Sequence, residues 1–597
     1  ESESESESSE SSESENEIAE SPYVEDLNES QEQAVESFLN ERHVHNSRIH
    51  MWQGPPGSGK TRTIISLLLR LTPFRGLLKR SLIFQQPTSA TETNHKCEKK
   101  TVVCAPSNQA VQVVLDKFLA AFKSKYEHDS ILPPVALVGI EEKVPKHLRS
   151  VFIHSFAENW TTRVKSALSS FESNQTLEEK VNTLKVLDIS GLFEQIRTRT
   201  PNVMCKFDAV RCLDSIECTL PGLKSFAALR HHKNSNMNDG LIRVMTTCLK
   251  QLLDKLSDIV TNHLEELERE FLKSASVVFC TLAVAGRKMF KRISVETLII
   301  DEAGQSCEAE TLMALKLNPT KCVLVGDPEQ LSATVMCPAA LELGFGRSLL
   351  HRLMIDLKQP FSLLDTQYRM APEISKFPSK HFYNKRLKDG ENVKSEMWKP
   401  YWLDTKESIS LSEHKSNWLQ PFLFLDIRNG KEEYEGLPGG SSLFNRSEAE
   451  CAVRILKELT KRGVDVFSQV IITTFYGAQV RAIRNALQTS SFGREEPEKQ
   501  NEKSASRKHI KVCTVDSVQG SEADIVILSF VRSNTSQKIG FLRDYRRLNV
   551  AITRAKFCLI ILGNYETLSQ SGNKDLCNLA LHAKEQNVVI EMSAINP

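Results

Sequence analysis

Short apolar runs recur along the chain, and each ends in a turn rich in Gly, Ser, Thr, Asn or Asp. They form two series separated near residues 355–362. The first series is IHMWQ (49–53), TVVCA (101–105), SVVFC (276–280), TLIID (297–301) and KCVLVGD (321–327). The second is PFLFLDI (421–427), QVIITT (469–474), IKVCTVD (510–516), DIVILSFV (524–531) and FCLIILG (557–563). Continuous apolar runs that alternate with helical patterns are typical of parallel strands buried on both faces, so the pattern predicts two α/β domains.

Residues 150–273 have a different pattern. They contain no strand-like run and show helical periodicity, as in NHLEELEREFLKSA (262–275). We therefore predict a mostly helical insertion over about 150–273. The predicted organisation is a tail at 1–22, a first domain at 23–358 that contains the insertion, and a second domain at 359–597.

Composition is that of a water-soluble globular chain. Apolar residues make up 40% and charged residues 25% of the 597 residues, which exceed the size of a single core. No uncharged apolar run approaches 18 residues, so no membrane span is expected. The 14 cysteines form no C-x-x-C pair and fit no zinc pattern, and scattered free thiols predict the reducing nucleus or cytoplasm.

The formal charge of +1 conceals an asymmetry. The segment ESESESESSESSESENE (1–17) holds eight Glu and no Lys or Arg, so the rest of the chain carries +9. We predict that residues 1–22 are an acidic disordered tail, because such a segment cannot bury apolar surface. Its simplest function is solvation. The alternatives are phosphorylation, binding a protein partner, or masking the mildly basic body, whose charge suits a polyanion.

The segment GPPGSGKT follows the first apolar run and opens a helical pattern, which is the context of a phosphate-binding loop. Its glycines let backbone N–H groups face phosphate oxygens, and the helix N-terminus adds partial positive charge. Lys60 is expected to reach the β- and γ-phosphates, and Thr61 to bind magnesium. The nucleotide-binding candidates are Gly54, Pro55, Pro56, Gly57, Ser58, Gly59, Lys60 and Thr61.

Asp301 and Glu302 end the run TLIID and supply the second half of such a site. Asp301 is expected to hold magnesium, and Glu302 to polarise the attacking water. With the complete loop upstream, the pair predicts an ATPase or GTPase that uses Mg²⁺. No N-K-x-D guanine signature is evident at the relevant place. Gln31, in NESQEQAV, could read an adenine edge, although a lone Gln is more often a surface residue.

Three later segments carry polar residues that an isolated ATPase core does not need. VLVGDPEQLSATV contains Gln330, LLDTQYRMAPEI contains Arg369, and RRLNVAITRAK contains Arg554. We predict that the two domains face each other across the nucleotide, with both arginines on the γ-phosphate. Hydrolysis would then release the domains from each other, which suits a motor that moves along a track.

In order and spacing, the segments resemble the motif set of superfamily-1B helicases, the branch that includes the nonsense-mediated-decay helicase and senataxin. The matching segments, which span residues 27–563, are LNESQEQAV, GPPGSGKT, CAPSNQAV, DEAGQ, GDPEQL, QYRM, VDSVQGSE and LNVAITRAK. The resemblance implies two tandem RecA-like domains and an ATP-dependent 5′-to-3′ helicase or translocase, acting on RNA or RNA–DNA hybrids. Gln305 distinguishes DEAGQ from the DEAD sequence of a large superfamily-2 group.

The resemblance also implies residue roles. Gln31 would read adenine and Tyr368 would stack on it. Gln330 would couple the γ-phosphate to the nucleic-acid groove, and Arg369 and Arg554 would be arginine fingers. Gly520 and Glu522 would contact nucleotide and coordinate the second domain. Contacts to the nucleic-acid backbone would come from Pro106, Ser107, Asn108, Thr281 and Thr514. Turn capping is the alternative role for these Ser, Thr and Asn side chains.

The chain departs from the family pattern in places. Relatives carry a small β-barrel before the Gln motif, whereas here Leu27 follows the acidic tail directly. The family's QLPP is QLSA here, and TPY is TFY (474–476). We expect a monomer that binds single-stranded nucleic acid, with RNA favoured. Alternatives are an ATP-gated clamp, an RNP-remodelling module without processive unwinding, or a DNA helicase of the same superfamily.

Overall fold

The computed structural model describes residues 27–40, 48–72, 100–126, 134–173, 175–228, 235–403, 418–436, 442–492 and 509–591. The predicted acidic tail lies outside these ranges, and the account below concerns the described residues. Among their helices, none combines the length and apolarity that crossing a bilayer requires.

The first sheet has seven strands, all parallel, in the order β3-β4-β2-β5-β6-β1-β7. The strands are β1 (Ile49–Gln53), β2 (Lys100–Ala105), β3 (Val135–Val138), β4 (Val277–Thr281), β5 (Val295–Ile300), β6 (Lys321–Gly326) and β7 (Ser362–Leu363). Val102 and Cys104 on β2 join the core on one face of the sheet, and Val103 and Ala105 join the core on the other. This alternation explains the uninterrupted apolar runs, because both faces are covered.

Helices cover both faces of this sheet. Outside the stretch between β3 and β4, the helices of this domain are α1 (Glu29–Leu39), α2 (Lys60–Leu71), α3 (Asn108–Tyr126), α11 (Leu282–Ala285), α12 (Glu308–Leu315), α13 (Pro338–Glu342) and α14 (Leu349–His351). Between β3 and β4 lie α4 (Phe156–Glu172), α5 (Leu177–Val186), α6 (Ile189–Arg199), α7 (Pro201–Lys206), α8 (Ala209–Ala228), α9 (Ser235–Asn262) and α10 (Leu264–Ser274).

The seven helices between β3 and β4 are not a separate body. Along α4, Phe156, Trp160 and Val164 recur at four-residue spacing and are all fully buried. They belong to the same apolar core as β2 and β5. The insertion therefore packs directly on one face of the first sheet, as an amphipathic helical stripe requires.

The second sheet has six parallel strands in the order β14-β13-β15-β16-β10-β17. The strands of this domain are β8 (Thr366–Gln367), β9 (Lys388–Asp389), β10 (Phe422–Asp426), β11 (Glu432–Tyr434), β12 (Leu443–Asn445), β13 (Val470–Thr474), β14 (Lys511–Thr514), β15 (Ala523–Ser529), β16 (Ala555–Gly563) and β17 (Val589–Glu591). Its helices are α15 (Pro372–His381), α16 (Glu391–Lys394), α17 (Arg446–Lys461), α18 (Gly477–Gln488), α19 (Val515–Val518), α20 (Tyr545–Ile552), α21 (Tyr565–Ser569) and α22 (Lys574–Glu585).

The predicted fold class is confirmed: two parallel-sheet α/β domains follow each other, and the first has a mostly helical insertion. All ten predicted strands are present. In the two large sheets, three strands were not predicted, namely β3, β7 and β17, each of four residues or fewer. The strands of the two small sheets, β8 with β9 and β11 with β12, were not predicted either. Runs this short carry too little apolar pattern to stand out. Because β7 pairs with β1, the first sheet extends to Leu363, just past the predicted domain boundary at 358, which itself stays a prediction.

Candidate active site

The phosphate-binding loop connects the carboxyl end of β1 to α2. Gly54 N–H donates to the Gly326 carbonyl at 2.9 Å, which ties the start of the loop to the end of β6. Gly57 and Gly59 have φ values of +74° and +80°, in the region that glycine enters without strain. A Cβ on Gly57 would lie 2.7 Å from Cβ of Arg369, so the second domain approaches this turn too closely for any side chain.

Lys60 and Gln31 both bond to the loop's own carbonyl groups. Lys60 Nζ donates to the Gly54 carbonyl at 2.8 Å, where it crosses the loop. Gln31 is buried; its Nε2 donates to the Ser58 carbonyl at 2.9 Å, and its Oε1 accepts from Asn28 N–H at 3.1 Å. The Gln31 side-chain amide, which is predicted to read adenine, therefore stabilises the loop in this conformation. Its role toward the base stays a prediction.

Asp301 and Glu302 stand directly after β5, facing the loop. Burial, together with the adjacent Glu302 charge, raises the pKa of Asp301 to about 7, although nearby Lys60 opposes the shift. Asp301 Oδ1 accepts from Glu302 N–H at 2.9 Å. Gln305 Nε2 donates to Glu302 Oε2 at 2.7 Å and so fixes the direction of that carboxylate. The motif resemblance identifies Gln305 as a family marker, and the structure adds its hydrogen bond to Glu302.

Gln330 reaches the cleft from the segment after β6. Its Nε2 donates to Asp327 Oδ2 at 2.8 Å, and Gln53 Nε2, at the end of β1, donates to Asp327 Oδ1 at 3.2 Å. Asp327 and Gln330 are both buried. The orientation of Gln330 thus depends on a carboxylate anchored beside the phosphate-binding loop.

The opposite wall comes from the second domain and carries Arg369. Its Nε donates to Glu522 Oε2 at 2.7 Å, and its Nη1 donates to the Thr553 carbonyl at 3.3 Å. Burial alone would raise the pKa of Glu522, but Arg369 and Lys556 hold it below its ordinary value. Glu522 is therefore ionised, and it positions the guanidinium group.

Arg554 lies behind Arg369 and is buried. Its Nε donates to the Val550 carbonyl at 2.9 Å, and its Nη2 donates to Thr553 Oγ1 at 3.1 Å. Burial, followed by repulsion from Arg369, lowers the pKa of Arg554 to about 9, and Glu302 opposes this shift. The side chain remains charged at neutral pH, but its desolvation gives it a strong preference for a nearby anion.

Tyr368 bridges the two domains at the edge of the cleft. Its backbone N–H donates to the Gly57 carbonyl at 3.0 Å, and Asn28 Nδ2 donates to its hydroxyl oxygen at 2.8 Å. Tyr368 is 38% exposed and lines the cleft, so its side chain is accessible to a ligand there. This placement is compatible with the predicted stacking on adenine.

The cleft between the domains has a volume of about 730 Å³. Seventeen of the predicted residues were assigned to the nucleotide. The fifteen that line the cleft are Pro55, Pro56, Gly57, Ser58, Gly59, Lys60, Thr61, Asp301, Glu302, Gln330, Tyr368, Arg369, Gly520, Glu522 and Arg554. The remaining two do not line the cleft: Gln31 bonds to the Ser58 carbonyl, and Gly54 lies beneath the Lys60 side chain.

The cleft also includes residues that sequence reasoning missed. Gln109, Val113 and Lys117 line it from α3, and Trp398 and Phe557 line it from the second domain. The ring centroids of Trp398 and Phe557 lie 4.4 Å apart. The four-residue spacing of the α3 set is a signal that could have found them, because it places all three on one helix face. Trp398 lies outside every recognised motif.

The residues predicted to contact nucleic acid lie at the ends of strands. Pro106 and Ser107 follow β2 and line the cleft, and Ser107 Oγ accepts from Ala110 N–H at 3.1 Å, which is the capping alternative. Asn108 begins α3. Thr281 ends β4 and Thr514 ends β14; each precedes a short helix without capping it through its side chain. Their contact with nucleic acid stays a prediction.

Thr61 and Asp301 fit a magnesium site. The Asp301 carboxylate is buried beside a second acid, and a cation would relieve the repulsion that raises its pKa. Within the described ranges, no group of three or more His, Cys, Asp or Glu residues clusters as an all-protein metal site. Magnesium is commonly bound by one or two carboxylates together with substrate phosphates, which is the arrangement that this cleft offers.

The chain is similar in sequence to known proteins. Two models described as AAA domain match residues 26–338 and 345–566. The chain is 30% identical to helicase sen1 of Schizosaccharomyces pombe, over 91% of this chain and 29% of that protein. It is 29% identical to probable helicase MAGATAMA 3 of Arabidopsis thaliana, over 95% of this chain and 61% of that protein. It is 28% identical to the regulator of nonsense transcripts 1 homolog of Drosophila melanogaster, over 96% of this chain and 37% of that protein.

Among solved structures, an arterivirus nonstructural protein 10 helicase covers 90% of this chain and 63% of its own at 11% identity, with a TM-score of 0.31, which is too low to argue from. The chain spans less than two thirds of the length of each of the three curated relatives. The AAA-domain match over 26–338 nevertheless covers more than half of the chain and includes the phosphate-binding loop and the Asp301–Glu302 pair. The chain therefore belongs to the AAA-domain family of superfamily-1B helicases, together with sen1 and regulator of nonsense transcripts 1.

Proposed function

We propose that the chain is an ATP-dependent helicase or translocase that moves 5′-to-3′ along single-stranded RNA or along RNA–DNA hybrids. One observation carries the proposal: the cleft has an acidic pair, Asp301 and Glu302, on one domain and two arginines, Arg369 and Arg554, on the other. Relatives named as helicases support the same activity. The polarity and the preference for RNA follow from the motif resemblance.

Binding of ATP would reorganise the loop. Lys60 Nζ would leave the Gly54 carbonyl for a phosphate oxygen, exchanging a neutral acceptor for a charged one. Thr61 and Asp301 would hold magnesium, which neutralises charge on the β- and γ-phosphates. Tyr368, exposed at the rim, would stack on the base.

Glu302 would orient and polarise the attacking water, since Gln305 already holds its carboxylate in one direction. Arg369 and Arg554 would stabilise the charge that develops on the γ-phosphate. Their positions depend on the second domain, so phosphate release would remove the ligand that holds the two domains together. This coupling would convert hydrolysis into relative motion of the domains.

The track would lie across the strand ends of both domains. Ser107 and Asn108 follow β2, Thr281 ends β4, and Thr514 ends β14 in the other sheet. Hydroxyl and backbone N–H donors suit phosphate and ribose, and such contacts carry no sequence preference.

The 13 free cysteines among the described residues suit a location of the protein in the reducing nucleus or cytoplasm.

The activity is tested by steady-state ATP hydrolysis with and without single-stranded RNA. We expect RNA to stimulate the wild type, and Glu302→Gln to lower turnover by at least about a hundredfold while ATP still binds, because only the water-activating group is lost. Glu142→Gln, at an exposed glutamate outside the cleft, is the matched control. An unstimulated wild type, or a fully active Glu302→Gln variant, contradicts the proposal.

A second assay separates movement from gated binding. Duplexes with a 5′ overhang, in RNA, DNA and hybrid form, should be unwound by the wild type in the presence of ATP. Strong RNA-stimulated hydrolysis without strand displacement would instead identify a clamp. Competition between matched RNA and DNA strands at one fixed salt concentration ranks the substrates, because contacts to the 2′-hydroxyl decide that preference.

A further inference from the structure

The second domain reaches into the first through one buried tyrosine. Tyr383 follows α15 and is almost fully buried. Its hydroxyl donates to Asp327 Oδ2 at 2.6 Å, which crosses the seam between the domains. Tyr383 belongs to none of the motifs that predicted the site, and Asp327 follows β6 of the first sheet.

The acceptor atom of this bond also orients Gln330. Asp327 Oδ2 accepts from Gln330 Nε2 at 2.8 Å, and Gln330 lines the nucleotide cleft. Gln53, the last residue of β1 before the phosphate-binding loop, donates to the other oxygen of Asp327. One carboxylate therefore connects the base of the loop, the cleft glutamine and the second domain.

The direction of the Tyr383 O–H bond is determined by a third group. Asn549 Nδ2, on α20, donates to the Tyr383 hydroxyl oxygen at 2.8 Å and to the Glu329 carbonyl at 2.9 Å. The hydroxyl accepts from Asn549, so its proton points to Asp327. Burial, and then the Asp327 charge, raise the pKa of Tyr383 well above its ordinary value, which keeps the donor protonated.

We infer that Tyr383 is a positioning residue: its hydroxyl holds Asp327, and through it Gln330, in the hydrolytic arrangement only while the two domains are together. This role rests on the proposed function. Through Tyr383 and Asp327, contact between the two domains would determine the orientation of Gln330 beside the γ-phosphate. When the domains part, Asp327 Oδ2 loses this donor, and the Gln330 amide loses the constraint on its partner. A merely structural bond across the seam is the alternative.

Tyr383→Phe removes the donor and keeps the ring. We expect kcat for RNA-stimulated hydrolysis to fall about tenfold to hundredfold, the range that loss of one hydrogen bond to a charged acceptor gives. KM for ATP should change less than twofold, because Tyr383 does not line the cleft. Tyr401→Phe is the matched control, since its hydroxyl bond, to the Gly463 carbonyl at 2.7 Å, stays within the second domain.

A double-mutant cycle with Gln330→Ala separates positioning from structural support. If Tyr383 acts through Asp327 and Gln330, Tyr383→Phe should cause little further loss of kcat in the Gln330→Ala background. A structural role predicts losses of kcat that multiply, together with a lower melting temperature. Asn549→Ala removes the group that orients the Tyr383 hydroxyl, and it should also lower kcat. The test therefore does not depend on one variant.

The outcomes distinguish this inference from the function on which it rests. A wild type without RNA-stimulated turnover contradicts the proposed function. A stimulated wild type whose turnover is unchanged by Tyr383→Phe, or whose losses multiply in the cycle, contradicts the inference alone.

Discussion

Glu302 has a left-handed backbone conformation, with φ at 51°, which is unfavourable for residues other than glycine because of their Cβ atom. Two contacts compensate for it. Glu302 N–H donates to the Asp301 carboxylate, and the Glu302 carboxylate accepts from the Gln305 amide. Strained residues that their surroundings hold in place are common at catalytic sites. Here the conformation turns Glu302 out of the strand direction and into the cleft.

Gln305 should therefore matter for turnover more than for binding. We expect Gln305→Ala to lower kcat about tenfold while KM for ATP stays within about twofold, because Glu302 keeps its charge but loses its fixed orientation. RNA-stimulated hydrolysis at varied ATP measures both constants. Gln33→Ala is the control, since Gln33 Nε2 donates to Glu29 on the exposed face of α1. Equal kcat values in the two variants would contradict the positioning role of Gln305.

At the scale of elements, a buried carboxyl group joins α17 to the end of β15. Glu448, in the first turn of α17, accepts from Ser529 Oγ at 2.6 Å and from Val531 N–H at 2.9 Å. Val531 has φ at 70°, which a β-branched residue rarely adopts. Glu448 is fully buried, and that burial raises its pKa to about 8. The carboxyl group thus holds a strained turn at the carboxyl end of β15.

Glu448 should make the free energy of unfolding depend on pH. Between about 4.5, its ordinary pKa, and about 8, the unfolded chain releases this proton and the folded chain keeps it. Its contribution to stability is therefore full below about 4.5 and is lost as pH rises, by at most about 1.4 kcal/mol per pH unit. The Glu448→Gln variant has no carboxyl group at this position, so its free energy of unfolding lacks this pH-dependent contribution.

Thermal unfolding of both proteins between pH 5 and pH 8 measures the effect. We expect the melting temperature of Glu448→Gln, relative to that of the wild type, to rise across this interval. Glu450→Gln, two residues along the same helix and exposed, is the control and should follow the wild type. A constant difference between Glu448→Gln and the wild type would show that the buried group does not titrate in this window.

At the scale of the whole molecule, polar bonds cross the seam between the two domains. Asp365 N–H donates to Ser30 Oγ at 3.2 Å, and Arg546 Nε donates to the Pro328 carbonyl at 3.1 Å. Single hydrogen bonds of this kind contribute about 1 kcal/mol each. Bonds of this strength can be exchanged when nucleotide binds or leaves, which the proposed movement of the two domains would require.

Charge is distributed unevenly over the whole chain. The acidic segment 1–17 carries eight negative charges, and without it the formal charge rises from +1 to +9. We expect a chain that begins at residue 18 to bind single-stranded RNA about threefold to tenfold more tightly at low salt, with the difference disappearing as salt rises. Fluorescence anisotropy at several salt concentrations measures it. A full-length chain with these eight Glu replaced by Gln separates charge from length; equal affinities for all three chains contradict masking.

The motif residues and the long strands were predictable because their signals are local. A buried parallel strand needs a continuous apolar run, and a phosphate-binding loop needs glycine at specific turns. The short strand β3, the cleft-lining Trp398 and the contact between Tyr383 and Asp327 were not predictable. In each case the contacting partner lies far away along the chain, and no local pattern encodes it.

The sequence by itself determined the family, the two-sheet fold and the identity of the groups expected to bind and hydrolyse ATP, since these follow from residue type and spacing. Only the tertiary structure decided how those groups are held. It showed Gln31 bonded to the phosphate-binding loop, Gln305 holding Glu302, and a tyrosine of the second domain bonded to Asp327. Hydrogen-bond partners depend on distances between chain segments, and those distances arise only in the folded chain. The bond between Tyr383 and Asp327 also requires the two domains to pack together.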